Sequence, residues 1–241
     1  MTAIDTVVRQ LRLPAVESES DLALLDAAER DRADRYRRTE DRVSFVAGRA
    51  ALRRVLADRL GFAADRIVFG HSACPGCGSA DHGPPRNSSP ATPVTFSFSR
   101  AKRHALVAVA PSGPVGADIE VLRPIDIREM AGQCLSPTEA AYILRLPPEE
   151  GLRAFYRAWV RKEAVTKAVG VGIVLDLRTV EVRPERPGAV TVTCGAGAGP
   201  GSWTVTDMDG GPRVAAALAL PDAGRRPQFM RDAGDFSQRI T

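Results

Sequence analysis

Four ionisable residues in two short stretches of this 241-residue chain have the types and spacing of a charge-handling centre. The first stretch is Gly116-Ala-Asp118-Ile-Glu120; on a strand, residues two apart leave the same face, so Asp118 and Glu120 point the same way. The second is Phe155, Trp159, Glu163 and Lys167, spaced by four, which stacks two aromatics, a carboxylate and an ammonium along one helical face. The apolar half of that face can bury, and it would carry the charged half into a cleft. Two like charges about 4 Å apart repel by roughly 4 kcal/mol at an effective dielectric near 20, so Asp118, Glu120 and Glu163 brought together need a cation. An all-oxygen donor set with no nearby histidine favours Mg²⁺ over zinc. Mg²⁺ bridges to phosphate oxygens, which an ammonium at Lys167 would also contact, so the combination points to phosphoryl- or phosphoester-transfer chemistry. Taken separately, each half is weak: an acidic pair on a strand is more often simply solvated, and so is a Glu-Lys pair on a helix.

Composition sharpens the second stretch. Of 33 Lys plus Arg only three are lysine (Lys102, Lys162 and Lys167), and two of these lie within it. A compact ammonium and a planar guanidinium are not equivalent. The net charge of +4 suits an anionic ligand or an acidic partner and is too small an excess to argue for nucleic acid. No apolar run is long enough to span a bilayer, and the N-terminal residues lack the basic and apolar regions of a signal peptide. Four cysteines in a chain of this size do not form a disulfide framework, so a cytoplasmic location is expected.

The elements that must position these residues follow from periodicity. A strand-like run near Val7–Leu13 leads to a helix over 21–38 that Ser18 or Ser20 can cap, and then to a helix over 41–60. Val43, Val46, Ala50, Leu52, Val55 and Leu56 form the apolar stripe of that second helix, and Gly61 ends it. Arg66–Gly70 reads as a strand, residues 83–93 as a turn-rich loop, and 94–110 as a hairpin turning at Ala101–Arg103. Val115–Leu122 is a strand, Ser136-Pro-Thr-Glu139 a capping box, and the helix from Glu149 closes at Gly170 and Gly172. Strands are expected at Arg178–Arg183, Val190–Cys194 and in a last hairpin over 202–220. The order helix-then-hairpin occurs twice, which predicts an α+β fold: a pseudodimer of two similar α/β halves, each a small antiparallel sheet packed on a long helix. The expected boundaries are 1–113 and 114–220, with 221–241 expected as a polar, disordered tail. His71, Cys74, Cys77 and His82 form a separate Zn²⁺ candidate, weighed below the reading as a reduced surface loop because the spacing is tighter than in ordinary fingers.

Gly116-Ala-Asp118-Ile-Glu120 together with Trp159-Val-Arg-Lys162-Glu163-Ala-Val-Thr-Lys167 resembles the signature pair of the 4′-phosphopantetheinyl transferases, in the pseudodimeric surfactin-synthetase type. The resemblance implies that coenzyme A binds between the halves and that a serine of an apo acyl or peptidyl carrier protein attacks its β-phosphate, releasing 3′,5′-adenosine bisphosphate. It implies Asp118, Glu120 and Glu163 as Mg²⁺ ligands, Glu163 as the base, Lys167 at the leaving phosphate and Lys162 beside the same phosphates. Arg42 and Arg49 resemble positions that grip the 3′-phosphate. Two departures stand out: the family's Ser-His, whose histidine contacts the 3′-phosphate of coenzyme A, is Ser99-Arg100 here, where the resemblance implies that Arg100 takes that contact, and its Gly-Lys/Arg-Pro adenine loop is Gly83-Pro84-Pro85, where Arg86 would replace the missing cation. An acidic carrier protein, docking on residues 121–147, and a monomeric chain are the implied partners and state. A catalytically degenerate binding module and a different Mg²⁺-dependent phosphoester enzyme are the competing readings.

Overall fold

The computed structural model describes residues 6–74, 77–79, 83–170, 175–194, 201–222 and 228–231. Its N-terminal part runs β1 (Val7–Arg12), α1 (Glu19–Ala23), α2 (Ala27–Asp34), α3 (Thr39–Leu60), β2 (Val68–His71), β3 (Pro85–Ser89), β4 (Thr95–Ala101) and β5 (His104–Ala110). The C-terminal part runs β6 (Gly116–Val121), α4 (Ile127–Cys134), α5 (Pro137–Leu144), α6 (Pro148–Val169), β7 (Ala189–Thr193), β8 (Ser202–Asp209), β9 (Val214–Pro221) and β10 (Gln228–Arg231).

The two parts repeat one plan. In the first, β1 pairs antiparallel with β5 and β5 with β4; in the second, β6 pairs antiparallel with β9 and β9 with β8. Each sheet carries a 22-residue helix, α3 or α6, that ends on a glycine in the left-handed conformation: Gly61 at φ 72° and Gly170 at φ 80°. No side chain other than hydrogen takes that conformation without strain, which makes glycine the natural stop. The fold is therefore α+β, built from two sheet-and-helix halves.

Period-two alternation distributes three cores. Ala105, Val107 and Val109 of β5 face α3 and pack with Leu52, Val55 and Leu56. Leu106, Ala108 and Ala110 face the other way and meet Ala117 and Ile119 of β6 and Ala216 and Leu218 of β9, so the two sheets share a core back to back. Ala217 and Ala219 of β9 then face α6, packing with Phe155, Val165 and the fully buried Trp203. Because Ala117 and Ile119 point into the core between the sheets, Asp118 and Glu120 must leave β6 on the α6 side.

Several expectations are corrected. The helix over 21–38 is two helices, because Asp26 caps a new start: its side chain accepts from Glu29 N and the Glu29 side chain accepts from Asp26 N, a complete capping box. The turn-rich loop over 83–93 contains β3, which pairs antiparallel with β2. Residues 178–183 form no strand; a single 3₁₀ turn at Leu177–Thr179, capped by Asp176, leads into an irregular segment whose carbonyls are taken by side chains of α6. The tail is not coil throughout, since Gln228–Arg231 adds to the first sheet as a strand parallel to β1. The first sheet thus has the order β10-β1-β5-β4 and is not purely antiparallel. The Val171 and Gly172 end of the helical reading, and most of the tail, lie outside the described residues.

Candidate active site

The site forms where β6 lies against the C-terminal half of α6. A Cβ at Gly116 would fall 1.8 Å from the Ala164 carbonyl oxygen and 2.6 Å from Ala168 N, so only glycine permits this backbone approach. The approach sets Asp118 beside Lys167: the ammonium donates to Asp118 Oδ1 at 2.6 Å and to the Ala117 carbonyl at 3.2 Å. Asp118 is 3% exposed, and Ser99 Oγ of β4 also donates to Oδ1, at 2.7 Å. Its second oxygen, Oδ2, is buried with no hydrogen-bond partner.

Electrostatics bind the remaining carboxylates to this pair. Burial first, and then the Asp118 charge, push the Glu120 carboxyl up to about 7. Glu163 is raised for the same two reasons, with Lys167 opposing. The three carboxylates therefore share one field, as Asp118 and Glu120 on one strand face opposite Glu163 would require. Among the described residues no three His, Cys, Asp or Glu side chains are drawn together as a preformed metal cage. Lys167 holds one Asp118 oxygen instead. The donor set nonetheless fits a hard divalent cation: it is all oxygen, it carries an excess of negative charge over Lys167, and a buried carboxylate oxygen stands unpaired at its centre.

Glu163 and Lys167 lie at the edge of a cavity of about 860 Å³ between the halves. Its first-half wall comes from Gly83–Arg86 and from Val94–Phe98, and its second-half wall from Met130, Cys134, Trp159, Thr166 and Leu175–Leu177. Trp159 stacks on the buried Phe155 with centroids 6.5 Å apart, so the aromatic half of the helical face anchors the charged half. Pro85 and Arg86 reach the cavity, and Arg86 Nε donates to the His71 carbonyl at 3.0 Å.

Other expected ligand-binding residues are occupied elsewhere. Lys162 is fully buried and pairs with the equally buried Glu139 at 2.6 Å while donating to the carbonyls of Leu177 and Val180, so its ammonium does not face the cavity. Arg42 pairs with Asp34 and, at 2.9 Å, with Glu17. Arg49 pairs with Glu29 and lies 4.2 Å over the Phe69 ring, where Arg53 lies at 4.6 Å. Arg100 donates to Ser44 Oγ and Tyr36 Oη, both at 2.9 Å. None of these four lines the cavity, and Ser99 serves Asp118. Each cation lies near an acidic or aromatic neighbour that sequence spacing could not reveal: Asp34 and Glu29 precede α3 by a turn in the chain. Of the zinc candidate, His71 Nδ1 contacts the Gly83 carbonyl at 2.8 Å, Cys74 is buried and Cys77 is exposed. His82 lies outside the described residues.

Ser97 was not expected to matter here, and Ser99 was expected as a coenzyme A contact rather than as a partner of Asp118. Ser97 Oγ accepts from Ala117 N at 2.9 Å, and Ser99 holds Asp118; together they fasten β6 to β4. Their signal was present in the alternation Phe96-Ser97-Phe98-Ser99, which puts both hydroxyls on one face.

With this geometry in view, comparison with known proteins shows what the chain is similar to. A family model of the 4′-phosphopantetheinyl transferase superfamily matches residues 114–219, the segment that contains β6, α6 and all four charged residues. Over that segment the chain is similar to the 4′-phosphopantetheinyl transferase superfamily. It is 28% identical to the 4′-phosphopantetheinyl transferase HetI of Nostoc sp. over 95% of this chain and 94% of that one. It is 29% identical to a 4′-phosphopantetheinyl transferase of Bacillus subtilis over 87% and 89% of the two chains. The transferase AcpT of Salmonella typhi is 34% identical over 54% of this chain and 59% of its own. The first two similarities span both halves, in keeping with the two-half transferase type.

Proposed function

We propose that this chain transfers the 4′-phosphopantetheine arm of coenzyme A to a serine of an apo acyl or peptidyl carrier protein. The observation that carries the reading is the Asp118–Lys167 pair, with Glu163 one turn away, at the edge of a cavity between the two halves. The serine oxygen forms a bond to the β-phosphorus of coenzyme A. The bond from that phosphorus to the bridging oxygen breaks, and 3′,5′-adenosine bisphosphate leaves with the electron pair. Glu163, held in a half-buried position that favours its protonated form, accepts the serine proton directly or through one water. Lys167 carries a donor to the leaving phosphate when its bond to Asp118 is exchanged for one to the ligand.

Asp118, Glu120 and Glu163 would hold Mg²⁺, which when bound supplies charge stabilisation on the pyrophosphate oxygens. Ser99 then acts as the group that orients Asp118, since its hydroxyl donates to Oδ1 and leaves Oδ2 open. Pro85 and Arg86 face the same cavity and are candidates for the nucleotide end of coenzyme A. The segment over residues 121–147 is a candidate dock for an acidic carrier. It carries Arg123, Arg128 and Arg145 beside the partly buried apolar side chains of Ile125 and Ile127. The chain supplies both halves itself, so a monomer suffices. On this reading the first half is residues 1–113, which β10 joins, and the second is 114–220.

The test is release of 3′,5′-adenosine bisphosphate from coenzyme A with and without an apo carrier. Release that requires the carrier supports the transferase. Release without it would favour a phosphoester hydrolase, and coenzyme A binding with no release a degenerate module.

A further inference from the structure

Thr166 lies on α6 between Glu163 and the helix stop at Gly170, and it lines the cavity. It is 5% exposed, and its Oγ1 is buried without any hydrogen-bond partner. A buried hydroxyl left unpaired costs free energy, and a methyl in its place would cost none. The cavity is lined by the ionic Glu163, Lys167, Arg86 and Asp176 and also by the apolar Met130, Trp159, Val169, Leu175 and Leu177. Charged phosphates avoid apolar walls, so the part of a ligand that lies against those side chains is uncharged. Threonine in a helix has two accessible χ1 rotamers, and turning between them exchanges methyl and hydroxyl at the cavity wall.

We infer that Thr166 is a binding residue for the uncharged, amide-bearing arm of coenzyme A, its hydroxyl pairing with an amide group of that arm. The inference rests on the transferase reading of this cavity. An amide matches the hydroxyl, which both donates and accepts, and the aliphatic remainder of the arm matches the apolar walls.

The experiment compares calorimetric binding of coenzyme A with that of 3′,5′-adenosine bisphosphate, which lacks the arm, in the wild type, Thr166→Val and Thr166→Ser. Thr166→Val is expected to weaken coenzyme A about 10-fold and leave the bisphosphate unchanged, with Thr166→Ser close to wild type. Its melting temperature should hold or rise, which a purely structural hydroxyl would not allow; Thr166→Ala gives the same binding readout if valine is not accommodated. Equal binding of both ligands by wild type and Thr166→Val, or equal loss of both, overturns the inference and leaves the transferase reading in place. Binding of neither ligand by the wild type overturns both.

Discussion

At the scale of single residues, the site is organised by one buried carboxylate whose two oxygens differ. Asp118 Oδ1 takes Lys167 and Ser99, and Oδ2 takes nothing. Asp118→Asn keeps the shape and removes the charge. It is expected to lower the transfer rate at least 100-fold while the protein stays folded, as read by single-turnover kinetics with circular dichroism alongside. Ser99→Ala should cost less, about 10-fold, because it loosens Asp118 without removing it; a shift in the Mg²⁺ concentration for half-maximal rate would mark that route. Gly116 is the residue where a single methyl is least tolerable. At 1.8 Å from the Ala164 carbonyl, the added Cβ of Gly116→Ala must push β6 off α6. Loss of stability at or above about 3 kcal/mol in denaturant melts, with loss of activity, is the expected result. This part of the site was readable early. Glycine and the two acids stand at alternate positions, so all three face α6, although only the second stretch on α6 gives the acidic pair a meaning.

At the scale of elements, two buried cations on α6 hold the irregular segment that follows Leu177. Arg161 is fully buried, makes a two-pronged pair with Asp207 at 2.7 and 2.8 Å, and donates to the carbonyls of Val182, Arg183, Arg186 and Gly188. Lys162 pairs with Glu139, whose other oxygen accepts from Val182 N at 2.8 Å. Backbone carbonyls over 177–188 thus find their partners in side chains of a helix rather than in a neighbouring strand. That is why the expected strand over 178–183 does not form: its β-branched residues point inward, as Val180 and Val182 do at 1% and 0% exposure, but no strand edge is beside them. Composition also misled about Lys162. The scarcity of lysine drew attention to it, yet what singles it out is the buried Glu139 that the Ser136 capping box delivers. Lys162→Met leaves Glu139 buried and unpaired, and should destabilise the protein by about 3–5 kcal/mol in urea melts. The arginines Arg42, Arg49 and Arg100 were legible as cations but not as partners of Asp34, Glu29 and Tyr36, because those pairings depend on how α2 lies against α3.

At the scale of the whole molecule, the repeat of helix and hairpin was visible in element order, and the matching pairings β1-β5-β4 and β6-β9-β8 extend it to topology. What element order could not disclose is that the chain returns to its first half. The parallel pairing of Gln228–Arg231 with β1 covers an edge that would otherwise expose unpaired backbone. A chain ending at Asp222 should melt lower, by about 2–4 °C for each kcal/mol lost. Its transfer rate at low temperature should be unchanged, since Asp118, Glu163 and Lys167 lie in the other half. Among the described residues no helix is long and apolar enough to cross a membrane. The shared core between the sheets, built from Leu106 and Ala108 against Ala117, Ile119 and Leu218, is what keeps the cavity walls of the two halves in register.

The central claim is that these two halves join phosphopantetheine to a carrier serine. The most direct measurement is the intact mass of an apo carrier protein after incubation with coenzyme A, Mg²⁺ and this chain. The account predicts a gain of one phosphopantetheine per carrier, abolished by EDTA and by Asp118→Asn. Unchanged mass across both acyl and peptidyl carriers, with the folded chain still binding coenzyme A, would contradict it.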